Sequence, residues 1–384
     1  MGGGHIQLIA LGAQDMYIIG NPQISFFKSV HRRHTNFSME CIEVANSNSI
    51  SSNETTLTYS IGRHGDLLYK CHLEIDFPQQ GLTGITGVAG KYGTYCNNTA
   101  HSYVKQIDFE IGKKLIDRHY GLWYDIRNSL WDKDNQEKSL LNKHDDKNAY
   151  LRSDDTDNVK SLKVFCPFHF WFCEDSGQAL PLIALQYHEV DFKITYRGIK
   201  DIINSTESIA SLNTNTPTIK LWCNYIYLDT DERRKFAQVS HEYLIEQLQV
   251  QENSFNSNNQ LNLNHPVKGL YWVIRNNTAI TSSETNIDPT NNVQTETSEY
   301  THKNDYLNYS RAKLSSTNEV RINNNIIQEH FDRGKIVLNG IDRFNEQSAS
   351  YFRLVEPYNS GNNVQESKLI YMYSFALKPL DYQP

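Results

Sequence analysis

The chain has 384 residues, 39% of them hydrophobic and 21% charged, with 23 Tyr, 16 Phe and a formal net charge of −7. That length exceeds one ordinary core and suits two domains of about 150–200 residues, and the composition is globular rather than disordered. The acidic balance argues against a nucleic-acid binder, which carries a basic domain, and no apolar run reaches the ~20 residues that span a bilayer.

Residues 1–20, MGGGHIQLIALGAQDMYIIG, are apolar but lack a basic n-region and carry Asp15, so they make a poor signal peptide. Ile6 stands where a myristoylation motif wants Ser or Thr. Residues 1–23 are therefore read as an arm outside the folded domains. Residues 24–43 read as a long edge strand. In 67–77 Leu68, Cys71, Leu73, Ile75 and Phe77 alternate toward a core. The Gly/Asn-rich stretch 79–102 reads as loop, and 103–112 and 113–120 as two strands about a tight turn at Gly112. Leu122, Trp123, Ile126 and Leu130 have helical spacing, which predicts a short helix over 120–131. The charged stretch 132–160 reads as a long exposed loop. Strands follow at 162–173, 187–197 and 218–230, with a polar loop at 198–217.

Many short strands without α/β alternation predict an all-β sandwich or jelly roll. Residues 230–243 are polar and read as a linker between a first domain, 24–229, and a second, 244–384. The second half predicts strands at 244–250, 267–275, 336–344 and 369–377. Its segment 276–332 is rich in Asn, Thr and Ser, and so long a loop is normally functional. An internal repeat aligns 107–124 with 335–352. It pairs Ile116-Asp117-Arg118 with Ile341-Asp342-Arg343 after a turn glycine. Asp117 with Arg118, and Asp342 with Arg343, are expected to lock equivalent corners through a charge-assisted hydrogen bond.

Signals for chemistry are weak. The six Cys (41, 71, 96, 166, 173 and 223) form no CxxC pair and read as buried free thiols. His31 and His34 flank Arg32 and Arg33, a basic cluster that repels a cation. There is no His-x-His, G-x-S-x-G, phosphate loop or G-x-G-x-x-G. The carboxylate pairs Asp154-Asp155 and Asp229/Asp231 sit in polar loops. Lys28, Arg32 and Arg33 form one basic patch, read first as a solvated face and second as a contact for nucleic acid or an anionic membrane.

Segment 12–43, GAQDMYIIGNPQISFFKSVHRRHTNFSMECIE, resembles the N-terminal signature of the major capsid proteins of large nucleocytoplasmic DNA viruses of the phycodnavirus, mimivirus and iridovirus group. The resemblance continues through 65–77, 111–124, 177–190, 225–249, 263–272, 338–344 (LNGIDRF) and 371–379, in family order. It implies a double jelly roll, two tandem eight-stranded antiparallel barrels. In each, the last strand lies between the first and third, and the penultimate one between the second and fourth. It implies a homotrimer of pseudo-hexagonal outline that meets neighbouring capsomers in an icosahedral shell, without enzymatic activity or cofactor. Further implied partners are minor capsid proteins and inner membrane-associated proteins, with no specific nucleic acid, and with glycans on outer loops. The implied location is the virion, after assembly in the host cytoplasm. Asp15, Asn21, Pro22, Lys28, Arg32 and Arg33 would belong to the arm and inner face, and loops 79–102, 132–160 and 276–332 to the outer end. A minor capsid or scaffolding relative is the alternative, and a carbohydrate-binding or cupin-like module a remote one. Residues 344–384 leave room for fewer strands than 119–228, so the second jelly roll is expected to lack its last two strands.

Overall fold

A computed structural model describes residues 36–46, 49–81, 93–132, 136–143, 158–205, 215–275, 306–307, 309, 329–364, 368–377 and 379. The first half folds as two facing antiparallel sheets. One contains β1 (Phe37–Val44), β3 (Leu67–Phe77), β6 (Leu162–Pro167) and β8 (Thr218–Leu228); the other contains β2 (Thr55–Ser60), β4 (Val104–Ile111), β5 (Lys114–Tyr120) and β7 (Val190–Tyr196). The orders are β1-β8-β3-β6, with Leu180–Pro181 also on β3, and β2-β7-β4-β5. The final strand β8 thus inserts between β1 and β3, and β7 between β2 and β4, as a jelly roll requires.

Alternation explains the core. Leu57, Tyr59, Leu73, Ile75, Phe77, Ile107, Phe109, Phe192, Ile194, Leu221, Cys223 and Tyr225 all have no exposed surface. They are the inward residues of pleated strands whose neighbours point out. In β3 the alternation slips once, where Cys71 pairs with Cys223 but Leu68 with Tyr225; this bulge keeps Leu68 in the barrel core, while Leu67 packs on the other face with Ala179 and Ile226. Phe109 packs against Phe170, Phe172 and Phe192 at ring separations of 5.5, 5.0 and 5.3 Å. Such pairs add about 0.5–1.5 kcal/mol each beyond burial.

Among the described residues, five α-helices decorate this half: α1 (Thr99–Tyr103), α2 (Gly121–Trp131), α3 (Lys138–Leu141), α4 (Trp171–Glu174) and α5 (Thr230–Gln238). Several expectations are corrected here. The strand read at 162–173 stops at Pro167, and the following chain turns inward through α4, with Phe168, Phe170 and Phe172 buried. Periodicity cannot separate such an aromatic plug from a strand. The loop read at 79–102 ends in α1, whose residues are all buried. The loop read at 132–160 contains α3, with Leu141 buried. The segment read as linker holds α5, capped by Asp229, whose Oδ1 accepts from Thr230 N at 2.7 Å. Residues 24–35 of the predicted edge strand lie outside the described residues.

In the second half β9 (Gly269–Val273) pairs with β12 (Ile370–Ser374), and two-residue strands β10 (Val337–Leu338) and β11 (Ile341–Asp342) form a hairpin. The strand predicted across 336–344 is therefore two strands, broken at Asn339 (φ 52) and Gly340 (φ 79). Both sit in the left-handed region that Gly and Asn tolerate. The strand predicted at 244–250 makes no ladder and has no regular secondary structure.

Candidate functional site: the seam between the halves

Helix α2 joins the two halves. Leu122, Ile126 and Leu130, four residues apart, line one face. Ile126 and Leu130 are buried against Ile370 and Met372 of β12 and against Tyr309, with Trp123, Trp131 and Tyr271 closing around them. Tyr124, on the opposite face, is buried in the first barrel. The last turn of α2 is capped from the second half: Asn363 N donates to Leu130 O and Asn363 Nδ2 to Asp132 O, both at 2.8 Å.

At the centre of α2 lies Asp125, whose side chain is fully buried. It accepts from Lys368 Nζ at 2.8 and 2.9 Å, Tyr309 OH at 2.7 Å and Asn98 Nδ2 at 2.8 Å, with Lys143 Nζ at 3.5 Å. Burial by itself would raise this carboxyl; the two ammonium groups, Lys368 before Lys143, and the Lys368 and Tyr309 hydrogen bonds hold it well below the carboxylate range. Burial lowers Lys143 to about 8, with Asp125 pulling the other way. Lys143 also bonds Asn128. Burial likewise brings His101 down to about 3, so its ring is neutral. Nearby, burial would raise Glu137, yet His169 and Asn128 hold it at about 2.

A second tether is Asp117 on β5, also buried. Its Oδ1 accepts from Arg118 N at 2.8 Å and from Leu248 N at 3.1 Å, and His119 Nε2 lies 3.0 Å from Oδ2. Gln247 Nε2 donates to Ile116 O at 2.6 Å. The chain entering the second half is thus fastened along the edge strand of the first.

The predicted corner locks are corrected by this geometry. Arg118 does not pair with the Asp117 carboxylate through its guanidinium. Nε and Nη2 grip Asp108 Oδ1 and Oδ2 at 2.7 and 2.8 Å across the strand pair. Asp342 is exposed and takes Lys335 Nζ at 2.8 Å, while Arg343 N donates to Ile336 O. What the halves share is the hairpin turn: Gly112 and Lys113 (φ 58 and 64) match Asn339 and Gly340. Ile341 lies two residues past Asn339, whereas Ile116 lies four past the matching Gly112, so the triplets fall out of register. Asp15, Asn21, Pro22, Lys28, Arg32 and Arg33 lie outside the described residues.

All six cysteines are free, with Cys41 exposed and the others buried. Among the described residues no group of three or more His, Cys, Asp or Glu could hold a metal ion, and no helix is long and apolar enough to cross a membrane. Sequence reasoning missed Asp125, Tyr309 and Lys368. A lone acid inside the apolar repeat of α2 was the available signal for the first; the other two carried none.

Family models match both halves: the major capsid protein N-terminus over 25–229, and the large eukaryotic DNA virus major capsid protein over 232–384. The chain is 36% identical to the major capsid protein of Pyramimonas orientalis virus, over 100% of this chain and 88% of that protein. It superposes on the quasi-atomic PBCV-1 virus capsid with a TM-score of 0.67 at 29% identity, covering 94% of this chain and 83% of the other. The Faustovirus major capsid protein has the same fold, with a TM-score of 0.70 at 13% identity over 97% and 88% of the two chains.

Proposed function

The chain belongs to the major capsid protein family of large eukaryotic DNA viruses, and we propose that three copies of it form a capsomer of pseudo-hexagonal outline that tiles an icosahedral shell. Its role is structural, its fold is the double jelly roll of those proteins, its association is with itself, and its place is the capsid of the virion.

The seam supports the trimer. Three subunits present six barrels as an even hexagon only if the angle between the two barrels of each subunit is fixed. Interface-like contacts between domains in one chain usually allow relative motion. Here a buried ion pair, a capped helix end and the Asp117–Leu248 tether remove that freedom. Two sheets with their strands paired internally also hide most edges that would otherwise recruit chains at random. Heterologous side contacts can then repeat around a three-fold axis.

The finer reading follows the family resemblance. No reaction is catalysed. Arm 1–23 lies on the inner side, toward minor capsid proteins and inner membrane-associated proteins. The polar stretches 79–98, 132–160 apart from α3, and 276–332 form the outer end, where glycans would attach. Assembly takes place in the host cytoplasm. The test is light scattering and electron microscopy of the purified chain. Particles of three times 44.4 kDa with a hexagonal outline are expected; a monodisperse dimer, or a trimer of round outline, would sink the proposal.

A further inference from the structure

One end of the first barrel displays an aromatic side chain on a tied loop. The chain from Pro181 to His188 crosses from β3 to β7 through successive turns. Ala184 N donates to Pro181 O, Leu185 N to Leu182 O and His188 N to Leu185 O, each at 3.1 Å. Arg63 Nη2 braces the loop by donating to Leu185 O at 2.8 Å. Where the loop enters β7, Gly112 N donates to Glu189 O at 2.7 Å and Ile61 N to Val190 O at 2.8 Å. At the tip Tyr187 is 94% exposed, so its ring and hydroxyl stand in solvent. A large side chain on a rigid loop gives up little entropy on contact, and Tyr is enriched among the residues that anchor interfaces.

The same end of the barrel opens an apolar patch on the opposite sheet. Phe37 and Met39 of β1 lie directly across from Leu228 and Ile226 of β8 and share their outward face. Ile226 is buried there with Leu67, and Phe236 of α5 packs against them. Toward the sheet edge the cover stops: Phe37 is 64% and Met39 46% exposed. Asp66 ties loop and patch into one frame. Its Oδ2 accepts from Leu228 N at 2.9 Å, and its carbonyl accepts from Ile183 N at 3.2 Å. Across the outward face of the other sheet, ionic and hydroxyl side chains pair with one another instead: Arg118 with Asp108, Lys193 with Glu110, Lys113 with Asp191 and Thr56 with Thr195.

We propose that Tyr187 of one copy seats on the Phe37–Met39 patch of a neighbouring copy. Three features make a second copy the occupant. Knob and patch both belong to this chain, at one end of one barrel and on opposite sheets, so copies standing side by side at one height bring them together. The chain's association is with itself. At a net charge of −7 the copies repel one another, and a phenol ring meeting apolar side chains adds no charge to that repulsion while taking Phe37 and Met39 out of water. Because knob and patch differ, the contact is heterologous and can repeat from copy to copy. The inference rests on the self-association under Proposed function but not on the number three.

Cross-linking of the intact chain tests it. Cys41, the exposed one of the six cysteines, is next but one to Met39 on β1 and shares its face. Gln186→Cys adds a second thiol beside Tyr187 and leaves the knob in place. This variant is mixed one to one with its nitrogen-15-labelled form, sized by light scattering and treated with a bis-maleimide. Hybrid-mass peptides that join position 186 of one copy to Cys41 of another are expected. Adding Tyr187→Ser should lower their yield about tenfold or more, with the melting temperature unchanged because that side chain is exposed; Met39→Ser should act in the same direction. Particles that give no such link, links within single chains only, or an equal yield after Tyr187→Ser would overturn the inference and leave the capsomer proposal standing. Hybrid links in particles of another size would keep the inference and sink the three-fold capsomer. A sample without particles would sink both.

Discussion

Asp125 gives up all contact with water and is compensated by partners from three separate stretches of chain: Asn98, Tyr309 and Lys368. Removing one member of a buried pair strands the other, so Asp125→Ala should cost about 3–5 kcal/mol. Asp125→Asn, which keeps an oxygen for Tyr309, should cost less; urea unfolding of both variants checks the order. Because the folded carboxyl titrates well below its unfolded value near 3.9, the contribution of Asp125 is present at neutral pH and survives mild acid. His101 behaves differently. Its pKa falls from 6.5 to about 3 on folding. Below pH 6.5 the unfolded chain therefore binds a proton that the folded chain refuses. Stability is full above 6.5 and is lost as pH falls toward 3, at up to about 1.4 kcal/mol per pH unit. The urea midpoint should drop between pH 7 and pH 5, and His101→Gln should flatten that slope. An unchanged slope would mean that other groups carry it.

Among the elements, α2 depends on the one residue that lets it start. A Cβ on Gly121 would stand 2.0 Å from His101 O and 2.3 Å from Val104 O, both backbone atoms that cannot step aside. Gly121→Ala should therefore displace α2 and yield insoluble or strongly destabilised protein. Gly340→Ala is the contrast. Nothing lies within 4 Å of its Cβ, so only the positive φ counts, at about 1–2 kcal/mol. Melting temperatures of the two variants separate a packing role from a conformational one. The helix was legible because Leu122, Ile126 and Leu130 recur with helical period. The extent of β6 was not, since Phe168, Phe170 and Phe172 continue a strand's alternation beyond Pro167 while plugging the barrel end instead.

Across the subunit, the seam should make the halves unfold together. Calorimetry is expected to show one transition for the native chain. Lys368→Met deletes the cation that reaches from beside β12 into α2 and leaves Asp125 with Lys143 as its remaining close cation. It should split the transition into an early second-half step and a later first-barrel step. A single transition, merely shifted, would show that the apolar packing of Ile126, Leu130, Ile370 and Met372 couples the halves unaided.

The alternation of 67–77, the Gly112 turn, the helix over 120–131 and the family signature could all be read from the chain, because each depends on residues within one or two turns of one another. A period of two or of 3.6 is a local property, and so is a positive φ. The meeting of Asp125 with Tyr309 and Lys368, separated by 184 and 243 positions, has no local signature. Nor does the diversion of Arg118 to Asp108, or the fastening of Leu248 to Asp117. Those contacts exist because closing the barrel brings distant segments to one place, where a buried charge must find whichever partner the fold delivers.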